Sequence, residues 1–98
     1  MEGKDKNKIY PSRIPNHLWL YRQKRGYSQK QVALLLGHKS ASHVSDYERG
    51  KRLPNLKTVL KLAVIFSTSV DLLFEEMRKE LQGEIQPKRE KILAGQYE

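Results

Sequence analysis

The chain has 98 residues, enough for one domain and too few for an enzyme built on a separate cofactor fold. With 31% charged residues, and no apolar run near the ~20 residues of a spanning helix, a membrane protein is excluded. Cysteine is absent, which removes disulfides, thiolate metal sites and cysteine nucleophiles together; no cofactor is expected. The opening stretch MEGKDKNKIYPSRIP lacks the apolar centre of a secretory signal, and the cytoplasm is the expected compartment.

Nineteen Lys and Arg against eleven Asp and Glu give a net charge of +8. Residues 1–14 hold four basic and two acidic side chains, residues 15–74 hold ten and three, and residues 75–98 hold five and six. The excess therefore lies in the part patterned like a folded domain rather than in a tail. A polyanion is the natural partner, since each cation set against a phosphate releases a condensed counterion.

Residues 1–14 are expected to form a flexible basic arm. Its Lys4, Lys6, Lys8 and Arg13 suit either an arm reaching along a duplex or a solubilising tail. The first helical packet, residues 16–25, follows Pro15 and stops at Gly26, with Leu18 and Tyr21 on one face and Trp19 expected to be partly buried. The second opens on Ser28-Gln29-Lys30-Gln31, a capping box in which Ser28 and Gln31 satisfy each other's orphan amides. It continues through Val32, Ala33, Leu35 and Leu36 to Gly37. The third covers residues 40–49, with Val44 and Tyr47 inward and Gly50 as terminator.

Pro54 and Asn55 start the fourth packet, in which Leu56, Val59, Leu60, Leu62, Ala63 and Phe66 form a broad apolar face. The fifth opens at Ser69 and carries Val70, Leu73, Phe74, Met77 and Leu81, with Gly83 and Pro87 expected to end it. Strand signals are weak throughout. These spacings predict an all-α, compact five-helix domain over residues 15–82, followed by a polar C-terminal tail over 83–98 that stays flexible unless a partner orders it.

The second and third packets carry the functional signal. A tight turn at Gly37 joins them in a helix-turn-helix arrangement, whose second helix can lie in a DNA major groove. The face opposite Val44 and Tyr47 presents Ser42, His43 and Asp46, with Lys39, Ser40 and Ala41 at its leading end. These are short or polar groups of the kind that can approach base edges. Lys51 and Arg52 follow, placed to grip a phosphate, and Gln29 with the amides that open the second helix offers another clamp.

The run Arg22-x-x-Arg25-Gly26-Tyr27-Ser28-Gln29-x-x-Val32-Ala33-x-x-Leu36-Gly37 resembles the lambda-repressor-like family, the Cro and phage-repressor type of helix-turn-helix. So does Val44-Ser45-x-Tyr47-Glu48-Arg49-Gly50-Lys51-x-x-Pro54, and the likeness extends through Leu56, Val59, Leu62, Ala63 and the Ser69-Val70-Asp71-x-Leu73 stretch. It covers residues 15–74. The resemblance implies a five-helix DNA-binding domain acting as a homodimer on a two-fold operator. It further implies that Gln29 contacts a phosphate and braces helix three, that Ala41, Ser42 and Asp46 face bases, and that Lys51 and Arg52 lie along the backbone.

Three positions depart from the pattern. The Gly37–Gly50 interval is one residue longer than the common spacing, which enlarges the turn at His38, Lys39 and Ser40. Asp46 stands where a base-facing Arg, Gln or Lys is frequent. Ser67 replaces the frequent glycine between helices four and five.

Arg22 and Glu48 read as the structural ion pair that resembling proteins place between helices one and three, not as a catalytic pair. His17, His38 and His43 lack the helical spacing of metal ligands. No phosphate-cradling glycine loop and no nucleophile–base pair occurs, so no enzyme is expected. The expected function is sequence-specific binding of double-stranded DNA by a homodimeric transcriptional regulator, a repressor. The alternative is an antitoxin-type interaction module that neutralises a protein partner through residues 75–98 and autoregulates its promoter.

Overall fold

The structure, a computed structural model, describes residues 13–95. Among them six helices occur: α1 (Leu18–Arg25), α2 (Gln29–Leu36), α3 (Ser42–Glu48), α4 (Leu56–Phe66), α5 (Val70–Leu73) and α6 (Glu75–Leu93). The all-α class is as expected. Lys4, Lys6 and Lys8 of the basic arm lie outside the described residues.

Side-chain chemistry sets most boundaries. Before α1, Asn16 Oδ1 accepts from the Leu18 amide at 3.0 Å while its Nδ2 donates to the Ile14 and Tyr47 carbonyls, so one side chain ties the helix start to the end of α3. The capping box of α2 is complete: Gln31 N donates to Ser28 Oγ at 3.0 Å and Ser28 N to Gln31 Oε1 at 2.8 Å. Asn55 and Ser69 cap α4 and α5 through the Thr58 and Leu72 amides. Helix α4 ends at Ser67, which adopts the left-handed conformation with φ 52°. The Arg25 guanidinium accompanies that turn, donating to the Phe66 carbonyl at 2.8 Å and the Ser67 carbonyl at 3.4 Å.

Helix α2 packs on α3 and α4, and α1 packs on the same two helices. Their shared interior holds Leu18, Val32, Leu62, Phe66 and Leu73, all essentially sealed from solvent, with Tyr21, Tyr27 and Met77 at its margin. Burial of each such side chain contributes about 1.5–3 kcal/mol, which makes this interior the main favourable term in so small a domain.

The packing differs from expectation at three places. Leu56 and Leu60 do not join the interior of α4: one stripe, Val59, Leu62 and Phe66, is buried, and the stripe of Leu56, Leu60 and Val64 faces outward. Trp19 is exposed, because α1 turns Leu18 and Arg22 inward and leaves Trp19 beside them on the outer side. The expected fifth helix is two helices. Its backbone breaks at Phe74 (φ −127°, ψ 51°), which lets the adjacent Leu73 and Phe74 both turn into the core.

Neither Gly83 nor Pro87 ends the second of these. Helix α6 runs through both to Leu93, although together they cost about 4 kcal/mol of intrinsic helix propensity relative to alanine. Among the described residues, what supports α6 is modest. Glu75 and Glu76 sit at its positive end and Lys91 in its last turn. Exposed pairs such as Glu75–Lys79 at 3.5 Å and Gln86–Glu90 at 3.3 Å add a few tenths of a kcal/mol each. No residue of α6 is buried.

Candidate nucleic-acid interface

The turn between α2 and α3 is held from both ends. Gly37 closes α2 in the left-handed conformation and the His38 amide donates back to the Ala33 carbonyl at 2.8 Å. Lys30 Nζ reaches across to the Lys39 carbonyl at 2.7 Å. The extra residue thus forms an anchored loop, and Lys39, Ser40 and Ala41 belong to it rather than to α3. Helix α3 begins at Ser42, whose Oγ lies 3.0 Å from Ser40 Oγ.

From that start, Val44 and Tyr47 are buried and fix the orientation of α3, leaving Ser42 and His43 exposed at its leading end. Asp46 is one turn further along and half-buried. Its two oxygens lie 3.6 Å from the Arg49 guanidinium and 3.9 Å from that of Arg52, so the acid is paired with cations on the same surface. The His38 and His43 rings meet edge to face with centroids 5.3 Å apart, and Tyr47 continues that contact.

Beneath α3 lies the structural pair. Arg22 bonds Glu48 through Nε and Nη2, and donates from Nη1 to the Tyr27 carbonyl at 3.0 Å. The two side chains are 10% and 5% exposed, which places this pair in the interior. Gln29 Nε2 donates to the same carboxylate at 3.0 Å, so α1 and the start of α2 both grip the end of α3. The brace implied for Gln29 is therefore present.

After α3 the chain turns at Gly50 into Lys51 and Arg52, both exposed. The Gly50 carbonyl accepts from the Ile14 amide at 2.8 Å, and Arg13 Nη1 donates to the Arg49 carbonyl at 2.7 Å. The segment before α1 thereby positions this basic loop. Lys30, Lys39, Arg49, Lys51 and Arg52 stand around α3, against Asp46 as the partly exposed acid, while Glu48 is internally neutralised. Sequence reasoning missed Lys30, His38 and Arg49. Arg49 was detectable from its i, i+3 spacing to Asp46, whereas the bond from Lys30 depends on the course of the enlarged turn.

Two short helices joined by an anchored turn, the second presenting polar side chains between cations, define a helix-turn-helix domain. The sequence profile of the helix-turn-helix family matches residues 20–73. Over 54 residues the chain is 43% identical to the HTH-type transcriptional regulator ImmR of Bacillus subtilis, a match covering 53% of this chain and 40% of that protein. The chain thus spans less than half the length of that relative. The restriction-modification controller protein C.AhdI from Aeromonas hydrophila superposes with a TM-score of 0.54 at 36% identity, over 59% of this chain and 86% of that one. A hypothetical transcription factor, NHTF from Neisseria, shares the fold with a TM-score of 0.53 at 23% identity, over 76% of this chain and 99% of that one. The chain belongs to the helix-turn-helix family, of the lambda-repressor type. No helix of the described residues is long and apolar enough to cross a membrane.

Proposed function

We propose that the protein is a sequence-specific repressor that occupies a two-fold operator on double-stranded DNA as a homodimer in the cytoplasm. The observation that carries this reading is the exposed leading end of α3, Ser42 and His43, framed by cations on both sides. In this reading α3 enters the major groove and Ser42, His43 and Asp46 meet base edges, with Lys39, Ser40 and Ala41 at the groove's margin. Gln29, Lys51 and Arg52 hold phosphates and set the register. Half-sites would then lie about one helical turn, ~34–36 Å, apart.

Selection from a random duplex library, followed by salt titration on the selected sequence, tests this. A two-fold symmetric consensus is expected. Ser42→Ala and His43→Ala should each cost about 1–3 kcal/mol on that sequence and little on random duplex. Lys51→Ala should weaken both alike and flatten the salt slope by about one. Equal losses on specific and random DNA for Ser42→Ala and His43→Ala would remove the base-reading assignment.

The exposed apolar residues of α6 give the antitoxin-type reading its one supporting observation. A second protein that copurifies with Ser42→Ala and His43→Ala variants as well as with the parent chain would favour it.

A further inference from the structure

Helix α6 leaves the domain with a face that nothing among the described residues covers. At 100° per residue, Met77, Leu81, Ile85, Lys88 and Ile92 fall on one stripe. Met77 is packed against the core, whereas Leu81, Ile85 and Ile92 are about half exposed. The helix persists through Gly83 and Pro87 without a buried residue, which is poor economy for an isolated segment and calls for a surface against this stripe.

We infer that this surface is α6 of a second copy of the chain, packed antiparallel to the first. The proposal deepens the homodimer reading above and rests on it. Charge selects both the partner and its direction. Between residues 75 and 84 acidic side chains outnumber basic ones by four to two, and between 85 and 93 basic side chains outnumber acidic ones by three to one. Antiparallel pairing sets each acidic half against a basic half. Parallel pairing would instead stack Lys88 on Lys88 of the second copy within the stripe itself.

One register satisfies the apolar positions. With the two-fold axis between Gln86 and Pro87, Leu81 faces Ile92 of the second copy and Ile85 packs on the aliphatic stem of its Lys88. Glu84 and Lys91 share one flank and have no ion-pair partner among the described residues; in this register Glu84 of each copy lies within reach of Lys91 of the other. The register also fixes a length. Each α6 begins about 17 Å along its axis from the two-fold, so the two domains leave the seam about 34 Å apart. That is the separation of two half-sites one turn apart on one side of a duplex.

Sedimentation equilibrium of the full chain without DNA tests the seam. A reversible dimer is expected, with Ile85→Glu raising its dissociation constant at least about 100-fold by placing an acid in the stripe. Glu84→Lys and Lys91→Glu, each setting like charges together twice, should raise it about tenfold, and the double variant should return to within a few-fold of the parent. Helix content and binding to random duplex, measured on the same variants, show that the domains remain folded. A dimer indifferent to Ile85→Glu, or a double variant no better than either single one, overturns the antiparallel seam and leaves the homodimer reading standing. A chain that stays monomeric at every concentration and on a two-fold duplex overturns both. A dimer weakened by Ile85→Glu but indifferent to charge reversal overturns the register.

Discussion

Gly50→Ala is the substitution whose cost the structure resolves best, because Gly37 serves as its internal control. Both glycines hold a left-handed conformation, with φ of 72° and 88°, and a residue bearing Cβ pays about 1–2 kcal/mol to adopt it. At Gly37 nothing lies within 4 Å of the added carbon, so that is the whole cost. At Gly50 the same carbon would stand 2.5 Å from the Ile14 carbonyl oxygen, 2.6 Å from its nitrogen and 3.2 Å from Arg13 Cβ. Ile14 contributes backbone there and cannot rotate aside. The segment before α1 must move, breaking the 2.8 Å bond from Ile14 N to Gly50 O and disturbing the bond Asn16 makes to the Ile14 carbonyl. Two hydrogen bonds at about 0.5–1.5 kcal/mol each bring the total to about 2–5 kcal/mol. Urea denaturation of the two variants should therefore differ by about 2 kcal/mol, with Gly50→Ala the less stable. Equal destabilisation would show that the close approach of Ile14 is not maintained in solution and would refute the reasoning.

Ser67→Gly should stabilise the domain by about 1 kcal/mol, because serine pays for the left-handed turn at φ 52° and glycine does not; chemical denaturation reads the sign directly. Glu48→Gln should cost about 3 kcal/mol of folding stability by leaving the buried Arg22 guanidinium without its counter-charge, and a loss no larger than for an exposed carboxylate would contradict its interior placement. Asp46→Asn should strengthen binding to random duplex and steepen the salt dependence by up to about one, since Arg49 and Arg52 lose their local anion; an unchanged slope would show that neither arginine reaches phosphate.

What the sequence made legible is what local chemistry determines. The Ser28–Gln31 box, the helix starts at Asn55 and Ser69, the left-handed stop at Gly26 and the turn at Gly37 are each settled within a few residues, and each appears as read. The Arg22–Glu48 pair was legible through resemblance alone, since 26 residues separate its partners. Apolar periodicity failed where more than one stripe was available. Leu56, Leu60 and Val64 satisfy helical spacing as well as Val59, Leu62 and Phe66 do, and only packing against α1, α2 and α5 selects the second set. Propensity failed at Gly83 and Pro87, where the helix continues against it. In the candidate interface, the residues of α3 could be placed from pattern. The anchoring of the enlarged turn by Lys30 could not, because that bond joins positions whose proximity follows from the course of the turn itself.

The place of Asp46 bears on how such a surface discriminates. Five cations around α3 would hold any duplex, and affinity of that kind carries no sequence information. An acid among them lowers the attraction for every sequence equally, but it does so at a position able to accept from cytosine N4. On the proposed operator that loss is offset by the accepted bond, whereas on other sequences it stands. Its contacts with Arg49 and Arg52 also hold both guanidiniums beside α3, so in the proposed complex less side-chain entropy would be lost on binding. Since a regulator must find its operator among a great excess of competing sites, the ratio of specific to random binding matters more than either affinity. Replacing Asp46 with the frequent family cation should therefore yield a tighter DNA binder and a poorer regulator.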